Sequence, residues 1–309
     1  MNIQWKGVMP AITTQFTEND ELDLELFKVN VQAQLDAGIH GLVLGGTLGE
    51  ASTLSIDELR LLTRVTVEFV DGKVPVVMNI AAQTTKEAIE LARIAEEDGA
   101  SGIMILPPMR YSATDEEMVT YFKAVAKSTT LPIMIYNNPI DYKLFVTLDM
   151  FEALIDTCSN IQAVKESTRD TTNVIRIKNR FGDRLAVLCG VDTLAFESLC
   201  LGADGWVAGL VDAFPAETVA IYELTKVGRY QEALNIYRWF MPLLELDIHP
   251  KLVQYIKMAS VYTKIGSEYV RAPRLVLEGE ERARIISIIE EGLKTRPTLP
   301  EYKNLSALV

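Results

Sequence analysis

Cysteine, histidine and net positive charge are all scarce in this 309-residue chain. Cys158, Cys189 and Cys200 are an odd number, lie in or beside apolar segments and show no CxxC spacing, so neither a disulfide framework nor a zinc site is indicated. The two histidines, His40 and His249, stand in unrelated segments without ligand spacing. Asp192 or Glu50 therefore gains no histidine partner for a metal centre, and both histidines read as structural or surface residues. Lysine and arginine total 30 against 42 acids, a formal charge of −12, which argues against nucleic acid or an anionic membrane as the main partner. Any anionic substrate must be held by local donors. No apolar run approaches the roughly 20 residues needed to span a bilayer. Met1 to Lys6 lacks the basic-then-apolar pattern of a secretion signal. A soluble, cytoplasmic protein is the expectation, without a low-complexity segment or flexible linker.

What the chain has is a large apolar fraction, 49%, arranged in a repeating order. Short apolar runs read as strands at Gly7 to Thr13, Gly41 to Leu44, Val74 to Ile80, Gly102 to Leu106, Leu131 to Tyr136, a sixth run from Ile161, Leu185 to Cys189 and Gly205 to Ala208. Between most of them lie stretches with helical spacing: Asp23 to Gly38, a helix opening near Ser55 with the capping-box partner Glu58, Thr85 to Asp98, Asp115 to Ser128, Thr171 to Phe181 and Asp192 to Leu201. Strands of about five residues that are nearly all apolar suit a sheet covered on both faces. Eight such units in about 220 residues point to an α/β chain folded as a closed (β/α)₈ TIM barrel. The open doubly wound alternative would use fewer strands and show a phosphate-binding glycine fingerprint after Ile12, and none is there. From Pro215 the pattern is helical only: Glu217 to Val227, Tyr230 to Leu246, Pro250 to Ile265 and Gly279 to Lys294. The expected organisation is a barrel over 1–215 with a C-terminal helical extension over 216–309, continuous with it. The apolar face around Ile236, Trp239 and Phe240 reads as core packing, and Trp206 in its strand likewise.

In such a barrel, reactive groups gather at the carboxyl ends of the strands. Lys165, at the end of Ile161-Gln162-Ala163-Val164-Lys165-Glu166, is an expensive residue in a buried strand unless it is paired or loses its proton. A neutral amine there is a nucleophile toward a 2-keto acid or cyclic imine. The plainer alternative is a lysine turned outward to pair with Glu166. Tyr136 ends the preceding strand; beside a free amine its phenol can shuttle protons for Schiff-base chemistry. Gly45-Gly46-Thr47-Leu48-Gly49-Glu50 ends the second strand and offers close backbone N–H groups and one hydroxyl to an anion, unless it is an ordinary turn.

Gly46-Thr47-Leu48-Gly49-Glu50, Tyr136-Asn137-Asn138-Pro139 and Val164-Lys165-Glu166-Ser167, in that order at strands two, five and six, resemble the dihydrodipicolinate synthase and N-acetylneuraminate lyase superfamily. Gly190-Val191-Asp192 and Gly202-Ala203-Asp204-Gly205 fit the same pattern, and the resemblance spans essentially the whole chain. It implies a (β/α)₈ barrel with a helical C-terminal region, a homotetramer (a dimer of dimers), a lysine imine with pyruvate or another 2-keto acid, and no metal or organic cofactor. By motif, Lys165 resembles the Schiff-base lysine and Tyr136 the proton-relay tyrosine. Thr47, with Gly46 and the Leu48 amide, resembles the substrate-carboxylate site, and Val207 the residue whose backbone carbonyl is offered to the substrate as an acceptor.

Departures point to the branch. The synthase that condenses pyruvate with aspartate semialdehyde has a second threonine where this chain has Leu48. It also has an arginine where this chain has Ile140-Asp141-Tyr142-Lys143, and losing that charge-assisted bond is worth roughly 1.5–3 kcal/mol. Lys143 or Arg110 are the available substitutes. The synthase's interface-crossing tyrosine is matched by Tyr111 only after an offset. The sialic-acid lyases carry a serine-threonine pair at Thr47-Leu48. With Leu106-Pro107-Pro108 and Gly205-Trp206-Val207-Ala208-Gly209-Leu210, the chain is most similar to 4-hydroxy-1-pyrroline-2-carboxylate deaminases of hydroxyproline breakdown. The expected function is dehydration and deamination of that cyclic imine to 2,5-dioxopentanoate. The alternatives are 4-hydroxy-tetrahydrodipicolinate synthase, another 2-keto-acid aldolase or dehydratase, and a keto-acid-binding protein without turnover.

Overall fold

Strands this short and this apolar leave no polar face for water, so they must be enclosed, and the fold encloses them in a ring. The computed structural model describes residues 3–108 and 111–308. Eight parallel strands, β1 (Gly7–Pro10), β2 (Leu42–Leu44), β3 (Val76–Ile80), β4 (Gly102–Ile105), β5 (Ile133–Asn137), β6 (Ile161–Glu166), β7 (Ala186–Cys189) and β8 (Gly205–Ala208), lie in the order β1-β8-β7-β6-β5-β4-β3-β2. Between β1 and β2 the ring is closed by a bridge from Ala11 to Val43, where Ile12 N–H donates to the Val43 carbonyl at 3.0 Å. The chain is a (β/α)₈ TIM barrel.

The helices around it are α1 (Leu24–Ala37), α2 (Ile56–Val70), α3 (Thr85–Glu97), α4 (Asp115–Ala126), a single turn α5 (Pro139–Tyr142), α6 (Leu148–Ile155), α7 (Thr172–Phe181), α8 (Ala195–Cys200) and α9 (Pro215–Lys226). The expected capping box is present: Ser55 Oγ accepts from Glu58 N–H at 3.2 Å, and the Glu58 carboxylate accepts from Ser55 N–H at 2.8 Å. Two elements were not anticipated. Thr147 caps α6 by accepting from Met150 N–H, and Asn138 caps α5 by accepting from Asp141 N–H. Strand limits differ from the apolar runs by a few residues: β1 stops at Pro10 rather than Thr13, β3 and β5 begin two residues later, at Val76 and Ile133, and β5 runs one residue past Tyr136.

Beyond the barrel, α10 (Tyr230–Leu244), α11 (Leu252–Tyr262) and α12 (Gly279–Lys294) pack on one another, with α9 between α10 and β1. Phe240, Ile236 and Trp206 are buried in the same continuous core as the barrel strands, as expected. His40 is structural: its Nδ1 accepts from Val8 N–H at 3.1 Å and its Nε2 meets Glu223 at 3.1 Å. No helix of the described residues is long and apolar enough to cross a membrane.

Candidate active site

β5 and β6 pair in register, so Tyr136 stands opposite Lys165 and Asn137 opposite Glu166. Lys165 is buried, 7% exposed, with its amine 4.3 Å from the centroid of the Tyr136 ring. Among the described residues it makes no hydrogen bond or ion pair. The Glu166 alternative is not realised, because Glu166 accepts from Thr168 N–H at 2.8 Å and from the Asn173 and Asn137 amides at 2.9 and 3.3 Å. Burial pushes the Lys165 amine below the usual lysine range, and the nearby Asp247 carboxylate pulls the other way. Burial also pushes the Tyr136 phenol up to about 12, so it keeps its proton at neutral pH. Asn138 Nδ2 donates to that phenol oxygen at 3.0 Å and to Asp141 at 2.7 Å.

The lysine can rise into the mouth because position 190 has no side chain. A Cβ on Gly190 would lie 2.7 Å from both Cγ and Cε of Lys165, and 2.1 Å from Ser167 Oγ. That serine hydroxyl is buried and has no hydrogen-bond partner among the described residues.

The loop after β2 is fixed from several sides. Asn79 Nδ2 donates to the Gly45 carbonyl at 2.9 Å and Thr14 Oγ1 to the Gly49 carbonyl at 2.7 Å. Glu50, in the left-handed region at φ 55°, is fully buried; it accepts from Lys257 Nζ of α11 at 2.6 Å and from Arg271 N–H at 3.1 Å. Asp192, beyond β7, has a comparable holding role, accepting from Trp206 Nε1 and from Leu210 N–H, each at 2.8 Å. Among the described residues no group of three or more His, Cys, Asp or Glu side chains is placed to hold a metal ion.

A cavity of about 80 Å³ at the mouth is lined by Gly46, Thr47, Leu48, Tyr136, Lys165 and Val207, so the barrel brings together the residues expected to be catalytic or substrate-binding. Lys143 is elsewhere, donating to the Ile140 carbonyl at 2.6 Å, and Tyr111 borders a separate surface depression beside Gln83 and Tyr121. Arg110 lies outside the described residues. Among the other lining residues, four bear a charge or a hydroxyl and were not named as site residues: Asp141, Ser167, Arg169 and Asp247. Ser167 and Arg169 follow Lys165 in the loop beyond β6, where the strand-end rule could have found them. Asp247 arrives from the segment between α10 and α11, and its carboxylate reaches so far over β8 that a Cβ on Gly209 would lie 2.3 Å from it. Burial and the Asp192 carboxylate hold Asp247 well above the usual carboxylate range.

A single unpaired lysine in the mouth of a parallel barrel, with a protonated phenol against it, defines the lysine Schiff-base lyases. The chain belongs to the dihydrodipicolinate synthetase family, whose model matches residues 4–292. It is 32% identical over 304 residues to a 4-hydroxy-tetrahydrodipicolinate synthase of Exiguobacterium sibiricum, covering 97% of this chain and 99% of that one. A synthase of the same name from Methanococcus aeolicus is 30% identical, over 93% and 98% of the two chains. Among solved structures, a dihydrodipicolinate synthase of Bacillus anthracis superposes with a TM-score of 0.90 at 27% identity, covering 96% of this chain and all of that one. A prophage protein of the same family from E. coli K12, in complex with pyruvate, gives 0.88 at 26%, over 94% and 99%. These names fit the synthase alternative better than the deaminase expectation.

Proposed function

We propose that this enzyme opens, dehydrates and deaminates 4-hydroxy-1-pyrroline-2-carboxylate, and one observation carries the reading. Two carboxylates, Asp141 at the rim and Asp247 beside Lys165, line the cavity, and Asp141 stands in the stretch where synthases resembling this chain have an arginine. Two carboxylates oppose the carboxylate of a second substrate such as aspartate semialdehyde, and they attract the amine that ring opening releases.

The neutral Lys165 amine attacks C2 of the cyclic imine while Thr47 and the Leu48 amide hold the carboxylate. The C2–N bond of the ring then breaks, leaving a lysine iminium and a free amine on C5, which Asp247 and Asp141 bind as ammonium. Loss of a C3 proton gives an enamine that expels the C4 hydroxyl as water, with Tyr136 handling protons. Proton loss from C5 and tautomerisation place a second imine there. Hydrolysis of both imines consumes two waters and leaves 2,5-dioxopentanoate, ammonia and the free lysine. No step calls on a metal or organic cofactor, and the substrate carries no nucleic-acid or lipid component. The exposed Val261, Tyr269, Leu275 and Val276 are apolar surface suited to burial in a homotetramer, which sedimentation would test.

Arg169 at the same cavity and the names of the relatives favour a second reading, condensation of pyruvate with aspartate semialdehyde. Purified protein incubated with the pyrroline, and separately with pyruvate plus aspartate semialdehyde, separates them by product analysis. Turnover of only the second mixture refutes the deaminase reading.

A further inference from the structure

Asn79 is the one polar side chain of β3, and it lines the cavity that holds Lys165 while being only 3% exposed. The two ends of its amide are used differently. Nδ2 donates to the Gly45 carbonyl at 2.9 Å, whereas Oδ1 is buried with no hydrogen-bond partner among the described residues. Turning the amide over would set two carbonyl oxygens against each other, so the Gly45 bond fixes which end is which. Oxygen and nitrogen diverge from the same carbon, and Oδ1 is therefore turned away from Gly45. The partner of Asn79 in register on β4 is Met104, and Met104, Ala11 and Leu106, which line the same cavity, carry no side-chain donor. A buried carbonyl without a donor calls for one from outside the chain, a water or a ligand.

Position decides between these. Gly45 opens the loop whose Thr47 hydroxyl and Leu48 amide are proposed to hold the substrate carboxylate, and an ionised carboxylate has no hydrogen to give to Asn79. C2, the carbon that Lys165 attacks, is bonded to that carboxylate. Imine formation expels a water from C2, and imine hydrolysis takes one up there. Water is thus the donor that this chemistry brings to the place. An acceptor draws a water by one hydrogen and leaves a lone pair free, which is the orientation a nucleophilic water needs.

We propose that Asn79 is a further catalytic residue, holding the water that adds to C2 of the Lys165 iminium. The water oxygen forms a bond to C2 as the π pair of C2=N moves to nitrogen and cancels its charge. The two water protons finish on the lysine nitrogen, the C2–N bond breaks with its pair on nitrogen, and C2 keeps the oxygen as a ketone. The lysine ammonium then returns one proton to solvent, and nothing is oxidised or reduced. Asn79 itself exchanges no proton. In the reverse direction the same carbonyl receives the water expelled as the imine forms. The role rests on the proposed Lys165 imine and not on which substrate supplies it, so it is tested with pyruvate.

The enzyme is loaded with isotope-labelled pyruvate, chased with excess unlabelled pyruvate and quenched with borohydride at intervals, so that mass spectrometry reads the hydrolysis rate of the labelled imine. The deuterium content of adduct trapped from D₂O reads enamine formation, which removes a C3 proton and needs no water at C2. For Asn79→Leu, close to asparagine in size, the chase should slow about 10-fold, the order that one hydrogen bond contributes. Imine formation at low pyruvate should slow by the same factor because it crosses the same transition state, so half-saturating pyruvate should stay within about twofold of wild type. Deuterium uptake per adduct should likewise stay within about twofold. The competing role, support of the carboxylate loop through Gly45, moves the readouts the other way: half-saturating pyruvate rises and the weakened imine is lost faster. That result overturns the water role, and so does a chase within about twofold of wild type. A wild-type enzyme that forms no pyruvate adduct overturns it together with the imine itself, whereas normal wild-type trapping with an unslowed variant overturns the water role alone. If Asn79→Leu does not fold, Asn79→Ala, which asks the core to fit nothing larger, is judged by the same outcomes.

Discussion

Substituting Gly190 by alanine adds one methyl group at the point where the lysine passes β7. The backbone there is outside the left-handed region, so the substitution brings no φ strain and its whole effect is contact. The new Cβ would meet Ser167 Oγ at 2.1 Å and Lys165 Cγ and Cε at 2.7 Å. Serine can rotate away. Lysine cannot do so without carrying its amine off the Tyr136 face. Overpacking of this kind costs about 1–3 kcal/mol, and at roughly 2–4 °C per kcal/mol the melting temperature should fall by about 2–12 °C. Displacing a reacting group by about 1 Å costs on the order of 10²-fold in rate. Trapping of the pyruvate imine by borohydride, followed by mass spectrometry, should therefore slow about 100-fold in a protein that is still folded at 25 °C. Combining it with Ser167→Ala removes the oxygen contact and leaves the lysine contact, so the double variant should recover stability more than trapping rate. Trapping within about twofold of wild type would refute the claim that Gly190 makes room for the nucleophile.

Lys165→Met removes a buried amine and should raise the melting temperature at neutral pH. The folded-state pKa of Lys165 is lowered, so between that value and the usual one of about 10.4 the unfolded chain binds more protons, and wild-type stability rises with pH. The advantage of the variant should then shrink as pH rises, as denaturant titration at several pH values would show. Lys257→Met takes from the buried Glu50 carboxylate the nearer of its two cations, leaving Arg274 at 3.6 Å, and should cost about 3 kcal/mol in urea unfolding, the low end of the range for breaking a buried pair. On the deaminase reading, Asp247→Asn should lower pyrroline turnover about 10-fold, the loss of a charge-assisted hydrogen bond of about 1.5 kcal/mol. The same variant should still form the pyruvate imine, and equal loss of both would assign Asp247 to the lysine rather than to the distal amine.

The barrel was legible because its strands are local and unambiguous. Ile161 to Val164 reads as enclosed strand from four residues, and Ser55 with Glu58 announces α2. The strand-end rule then placed Lys165, Tyr136 and Thr47 in one mouth. It passed over α6, whose Thr147 cap is followed by Met150 rather than an acid, and α5, which is a single turn after a proline. Asn79 went unnoticed for another reason: the stretch Val74 to Ile80 was read as a strand, and the one amide in it was not weighed for the site. Asp247 was beyond reach of any local rule, since it comes from a segment some 80 residues past Lys165 and enters over the gap left by Gly209.

The fully buried contact of Glu50 with Lys257 ties the anion loop to a helix contributed by the far end of the chain. That same stretch of chain also supplies Asp247. A break anywhere between β8 and α11 would thus release both the loop proposed to hold the substrate carboxylate and the cavity wall that carries Asp247 in one stroke. Selection for a new substrate cannot rework the strand-top loops as a separate module here, because each must stay compatible with the tail that locks it down.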